Sequence, residues 1–159
     1  MPLDSIDRQI IRATQAGLLL VAEPYQAIAE QLGLTAREVM QRMAKMQESG
    51  VIRRIAAVPN HYKLGYLYNG MTVWDVEDEH VHSLGQRVAE LPFVSHCYQR
   101  PRHLPDWPYN LFAMVHAKTE QDADRQIAVI AELLGDDVRR HAVLYSSKIL
   151  KKTGLRIAG

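Results

Sequence analysis

The chain has 159 residues, 47% of them hydrophobic and 23% charged, with a formal net charge of +1. That is apolar material for one domain or two small ones, and too little positive charge for a strongly basic nucleic-acid binder. A single cysteine, Cys97, excludes an intrachain disulfide and a cysteine-rich structural zinc site. The apolar run Leu18–Ala22 is far shorter than the roughly 20 residues that span a bilayer. No basic region followed by an apolar core opens the chain, so a cytoplasmic protein with no membrane association is expected.

Asp4 and Ser5 can cap a first helix carrying Ile6, Ile10 and Ala13 at helical spacing, with Gly17 as its stop. Pro24 suits a first helical turn, and a short helix is expected from about Tyr25 to Leu32, ended by Gly33. Thr35 and Glu38 have capping-box spacing. Val39, Met43 and Met46 then form one apolar stripe that stops at Gly50. Val51–Ile55 reads as a strand. Three short helices and a strand make a winged helix-turn-helix, assigned to residues 1–60.

Pro59 and Asn60 break the pattern, and a second domain is assigned to residues 61–159. Strands are expected at 67–76, 93–99, 109–117 and 139–146. Val81, Leu84, Val88 and Leu91 line one helix, and Ala123, Ile127, Ile130 and Leu134 another. Pro101, Pro105 and Pro108 punctuate a loop. The order βαββαβ is the ferredoxin-like split unit, so the fold class is α+β. The basic tail from Lys148 to Gly159 carries no clear element. Two helices on one face of a four-stranded sheet leave the other face needing cover, which a second chain can supply as a dimer partner.

The architecture, with the words Leu3-Asp4-Ser5-Ile6-Asp7, Ile28-Ala29 and Gly50-Val51-Ile52, resembles the Lrp/AsnC regulators. A second set of words resembles the sirohaem decarboxylase subunits of the alternative haem pathway and of haem d1 synthesis. These are Gly50-Val51-Ile52-Arg53-Arg54-Ile55, Asn60-His61-Tyr62-Lys63-Leu64-Gly65-Tyr66, Asn69-Gly70-Met71-Thr72-Val73-Trp74, Val94-Ser95-His96-Cys97-Tyr98-Gln99-Arg100-Pro101 and Asp106-Trp107-Pro108-Tyr109-Asn110-Leu111-Phe112. The resemblance implies that paralogous subunits pair, and that two ring acetate carboxylates of sirohaem leave as carbon dioxide to give didecarboxysirohaem.

Such a substrate asks for a wide apolar surface for the macrocycle and cations around its rim. Arg is suited to the rim because its planar fork pairs a carboxylate through two bonds. Arg53, Arg54, Lys63, Arg100 and Arg102 are candidates. Loss of carbon dioxide leaves charge on carbon, which the conjugated ring can accept, so no protein-held metal and no cofactor beyond the iron tetrapyrrole is expected. A histidine can return the proton.

His61, His96 and His116 fall in the family-like words, whereas His80 and His82 read as surface, His103 as loop and His141 as structural. The resemblance implies His61, His96, Arg54 and Arg100 as catalytic. It implies Arg53, Tyr62, Lys63, Tyr98, Trp107, Tyr109 and His116 as substrate-binding, with His96 or His116 alternatively an axial ligand to the substrate iron. Trp74 and Phe112 are further candidate flat walls. Strand alternation sends Cys97 to the face opposite His96, which excludes a Cys-His pair. The site is expected between the sheet and the Pro101–Tyr109 loop, at the junction of the two halves.

The rival reading is a DNA-binding regulator, with haem or metabolite sensing as its variant, using Arg37, Gln41, Arg42 and Lys45 on the third helix. The near-neutral charge and Glu38 on that helix lead us to expect little sequence-specific DNA binding.

Overall fold

A computed structural model describes residues 2–148, 150, 156 and 157. The chain divides into two compact units. One runs to Val58 and includes Arg156 and Ile157; the other is Pro59–Leu150. The basic tail expected with the second domain lies mostly outside the described residues. Ile157 N–H donates to Gln15 Oε1 at 3.0 Å, within the first unit.

The first unit is built on α1 (Ser5–Thr14), α2 (Pro24–Leu32) and α3 (Ala36–Glu48). Asp4 and Asp7 close a reciprocal capping box at the start of α1. Gly33, at φ +69°, ends α2 in the left-handed region that a side chain disfavours. Thr35 Oγ1 accepts from Glu38 N–H at 3.2 Å. The Glu38 carboxylate does not complete the expected box, because it bonds Arg42 Nε at 3.1 Å instead. Ile10, Ile28, Ala29, Val39, Met43 and Met46 form the core, so the expected stripe on α3 is buried.

The expected strand Val51–Ile55 does not form. Ile52 N–H donates to Met46 O at 2.9 Å, closing the helix end, and Val51 and Ile55 are exposed. A strand needs a partner for its backbone groups, and no second strand is present among the described residues of this unit. The unit is therefore a helix-turn-helix without the expected wing strand.

The second unit runs β1 (Tyr68–Val76), α4 (Val81–Ala89), β2 (Val94–Gln99), β3 (Leu111–Ala117), α5 (Glu120–Leu134) and β4 (Val138–Tyr145). The sheet order is β2-β3-β1-β4, every pairing antiparallel, which is the ferredoxin-like arrangement. β3 starts at Leu111 and not at Tyr109. The reason is the buried Asn110 side chain, which stands in for a strand backbone: Oδ1 accepts from Val76 N–H at 2.9 Å and Nδ2 donates to Val76 O at 2.8 Å.

The helices cover Trp74, Val76, Leu111, Ala113 and Val115. Trp74 is fully buried, donates to Thr72 Oγ1 at 2.8 Å and stacks on His141 at 4.6 Å. Trp74 is therefore a core residue under the helices and not a wall for a ligand. By register and alternation, the opposite face of the sheet carries Asn69, Met71, Val73 and Asp75 on β1, Phe112, Met114 and His116 on β3, and His96 and Tyr98 on β2.

Candidate functional site

The second unit gathers its chemistry on that opposite face. β2 and β3 slip register between Val94 and His96, so Ser95 is the extra residue of a β-bulge. Neighbours on a regular strand face opposite ways, but the bulge brings Ser95 and His96 to one side. Ser95 Oγ lies 3.0 Å from His96 Nδ1 and 2.8 Å from His116 Nε2. His116 Nδ1 lies 2.6 Å from Asn69 Oδ1, the residue directly across the β1–β3 ladder. The His61 ring, in the turn after Pro59, sits 5.5 Å from His116 and 4.6 Å from Tyr62. His61, Tyr62, His96 and His116 thus form one cluster, with both ring nitrogens of His116 engaged.

Along the same face the cluster meets an aromatic floor. The rings of His96 and Tyr98 stack at 6.1 Å. Arg100 lies over Tyr98 at 5.5 Å and over Phe112 at 5.2 Å. Contact with two rings positions the guanidinium by cation–π attraction. Trp107 stacks on Phe112 at 6.4 Å and meets Tyr109 edge-on at 5.1 Å.

The loop that carries these groups is tied down at both ends. Arg100 N–H donates to Asn110 O at 2.9 Å, and His103 and Trp107 exchange backbone bonds of 2.8 Å. Arg102 is not the rim cation that sequence suggested. Its guanidinium bonds Asp75 at 2.7 Å and Val76 O at 2.5 Å and also pairs Asp78, which fixes the loop to β1.

Within the second unit, Lys63, Cys97 and His80 take no part in this cluster. Arg53 and Arg54 belong to the first unit. Arg54 lines an apolar groove of about 840 Å³ there, with Ile11, Leu18, Leu20, Ile52 and Val58. Lys63 is exposed in the turn after Asn60. Cys97 points to the helix side, its Sγ 3.5 Å from Gly85 O, and burial pushes its thiol up, the wrong direction for a nucleophile. His80 pairs with Asp137 at 2.6 Å, which raises its imidazolium above the ordinary range, away from the cluster. Among the described residues no three His, Cys, Asp or Glu side chains converge to hold a metal ion.

Ser95 and Asn69 were missed as functional candidates. A serine or asparagine in a strand carries no sequence signal of its own, and the bulge that aims Ser95 exists only in the pairing. Lys118 was also missed: its ammonium lies 5.2 Å over the Tyr66 ring, beside a recess of about 310 Å³ that includes His116 and Arg125.

On the third helix of the first unit, Arg42 is gripped by Asp4 at 2.8 Å, Asp7 at 2.9 Å and Glu38 at 3.1 Å. These bonds raise the guanidinium still further above its ordinary range. The arginine that a regulator would offer to base edges is already neutralised by carboxylates.

Residues 7–53 match the siroheme decarboxylase NirDL-like HTH domain, and residues 63–151 the AsnC-like ligand binding domain. The siroheme decarboxylase NirH subunit of Pseudomonas aeruginosa is 58% identical over 151 residues, which cover 95% of this chain and 88% of that one. The siroheme decarboxylase NirL subunit of Stutzerimonas stutzeri is 40% identical over 153 residues, covering 94% and 88%. The crystal structure of the siroheme decarboxylase NirDL in co-complex with an iron-uroporphyrin III analogue superimposes with a TM-score of 0.66 at 31% identity, over 96% of this chain and 47% of that chain.

Proposed function

The chain belongs to the family of sirohaem decarboxylase subunits, and from that premise we propose that it takes sirohaem as substrate and removes ring acetate carboxylates as carbon dioxide. It does so with a paralogous subunit as partner, as a carboxy-lyase of haem or haem d1 biosynthesis. The two acetates become methyl groups and the product is didecarboxysirohaem. The observation that carries this reading is the placement of Arg100 and His96 on either side of Tyr98, three exposed side chains in a row.

The chemistry divides between these groups. Arg100 pairs an acetate carboxylate and orients it. Tyr98 and Trp107 offer flat apolar surface to the macrocycle, backed by the buried Phe112 ring, and keep water from the carboxylate, whose charge is costly to bury. The bond from the methylene carbon to the carboxyl carbon breaks, and its electron pair stays with the methylene carbon, stabilised by the conjugated ring. That carbon then takes one proton, which a histidine of the cluster supplies. The step is redox-neutral and asks for no further cofactor.

Arg100→Ala is expected to weaken sirohaem binding by about 1.5–3 kcal/mol, the usual cost of a hydrogen bond to a charged group, or roughly 10- to 150-fold in Kd. Absorbance titration of the full chain and its partner reads this directly. Unchanged affinity in the variant contradicts the placement of the carboxylate.

A further inference from the structure

Resting on the decarboxylase reading, we propose that Ser95 is the hydroxyl bridge of a two-histidine proton relay, in which His116 stores the proton and Nε2 of His96 delivers it to the substrate. The hydrogen bonds fix the direction of every member. Asn69 Nδ2 donates to Tyr66 O at 2.9 Å, so the amide oxygen, and not the nitrogen, must face His116. That oxygen accepts only, so His116 carries its proton on Nδ1 in both the neutral and the charged ring. Nε2 of His116 is therefore the atom whose protonation varies, and Ser95 Oγ lies 2.8 Å from it.

Two arrangements of the chain follow. With His116 neutral, the Ser95 hydroxyl donates to His116 Nε2 and accepts from His96 Nδ1, which leaves the His96 Nε2 lone pair outward. With His116 protonated, its Nε2–H donates to Ser95, the hydroxyl donates to His96 Nδ1, and His96 carries its proton on Nε2. Passage from the second arrangement to the first delivers one proton. His96 Nε2–H goes to the methylene carbon, the Ser95 proton moves to His96 Nδ1, and the His116 Nε2 proton moves to Ser95. One carbon dioxide leaves for each proton delivered. After product release the exposed His96 Nε2 takes a proton from water and the chain runs back.

The arrangement keeps the stored charge on His116 and leaves His96 neutral before and after the step. His96 and the Arg100 cation flank the same Tyr98 ring, and a neutral imidazole avoids like-charge repulsion there; His116 lines the recess that holds Lys118 and the Arg125–Asp122 pair. Ser95 and Asn69 touch no reacting atom in this scheme; they are positioning residues.

The test uses the full chain, with nitrogen-15 NMR of its histidines at a pH where both rings are neutral, and sirohaem conversion together with the paralogous partner. The wild type is expected to show His116 and His96 both as Nδ1–H tautomers. Ser95→Ala should return His96 to the Nε2–H form that predominates in unconstrained histidine. The same variant should slow conversion on the order of tenfold to a hundredfold, reaching at most the bottom of the roughly 10²- to 10⁴-fold range of a positioned proton donor. Ser95→Thr, which keeps the hydroxyl, should restore both. His96 as Nε2–H in the wild type, or a Ser95→Ala enzyme converting at the wild-type rate, overturns the relay. Wild-type protein with the stated tautomers but no conversion supports the hydrogen-bond chain and removes the decarboxylase reading instead.

Discussion

Replacing Arg102 with alanine is expected to destabilise the protein by about 3 kcal/mol, at the lower end of the cost of breaking a buried ion pair. The Arg102 side chain is 11% exposed and its partner Asp75 3% exposed. The lower end applies because Arg140 still bonds Asp75 at 3.2 Å. Arg102 also holds Val76 O, so the same change loosens the loop that carries Arg100 and Trp107. Sirohaem affinity should fall with stability, although Arg102 is not one of the groups on the aromatic floor. Arg102→Lys keeps the charge but not the fork and should recover part of the loss. Urea unfolding of the full chain measures this, and a change below about 1 kcal/mol, the range of exposed pairs, contradicts it.

The acid side of the stability curve carries the same signature. Burial alone pushes the Asp75 carboxyl up, but the bonds from Arg102 and Arg140, with the charges of Arg102 and Arg139, outweigh it and hold the group below its ordinary 3.8. A carboxyl depressed in the folded state adds stability that is complete above the unfolded value. That stability is lost as pH falls through the folded value. The wild type should therefore lose stability from this group below about pH 4, and Arg102→Ala should show a shallower acid limb.

His96→Ala is expected to slow sirohaem conversion by roughly 10²- to 10⁴-fold, the range of a lost general acid, while binding changes little. The side chain is exposed and its removal leaves the core intact, so stability should stay near wild type. The absorption spectrum of bound sirohaem separates the two roles open to this residue. A proton donor leaves the iron bands in place when removed, whereas an axial ligand shifts them. Conversion near the wild-type rate, or shifted iron bands, contradicts the role given to His96 here.

Local signals in the sequence carried most of the fold. The capping residues Asp4 and Thr35, the stripe Val39-Met43-Met46 and the strand-forming runs of β1 and β3 depend on neighbours a few positions away, and each appears in the structure. Val51–Ile55 has the composition of a strand, but a strand also needs a partner, which composition does not reveal. In the site, alternation placed His96 and Tyr98 on one face and Cys97 on the other. The Ser95 bulge depends on register with β3. Asn69–His116 and Asp75–Arg102 join residues 47 and 27 apart, and no local pattern marks such pairs. For Arg102 this long-range pairing turned a candidate substrate ligand into the anchor of the loop.

The most direct test of the account is mass analysis of sirohaem incubated anaerobically with this chain and a NirL-type paralogous subunit. The account predicts a product lighter by the mass of two carbon dioxide molecules, formed at a rate that Arg100→Ala and His96→Ala both reduce. Recovery of unchanged sirohaem with both wild-type subunits present would contradict it.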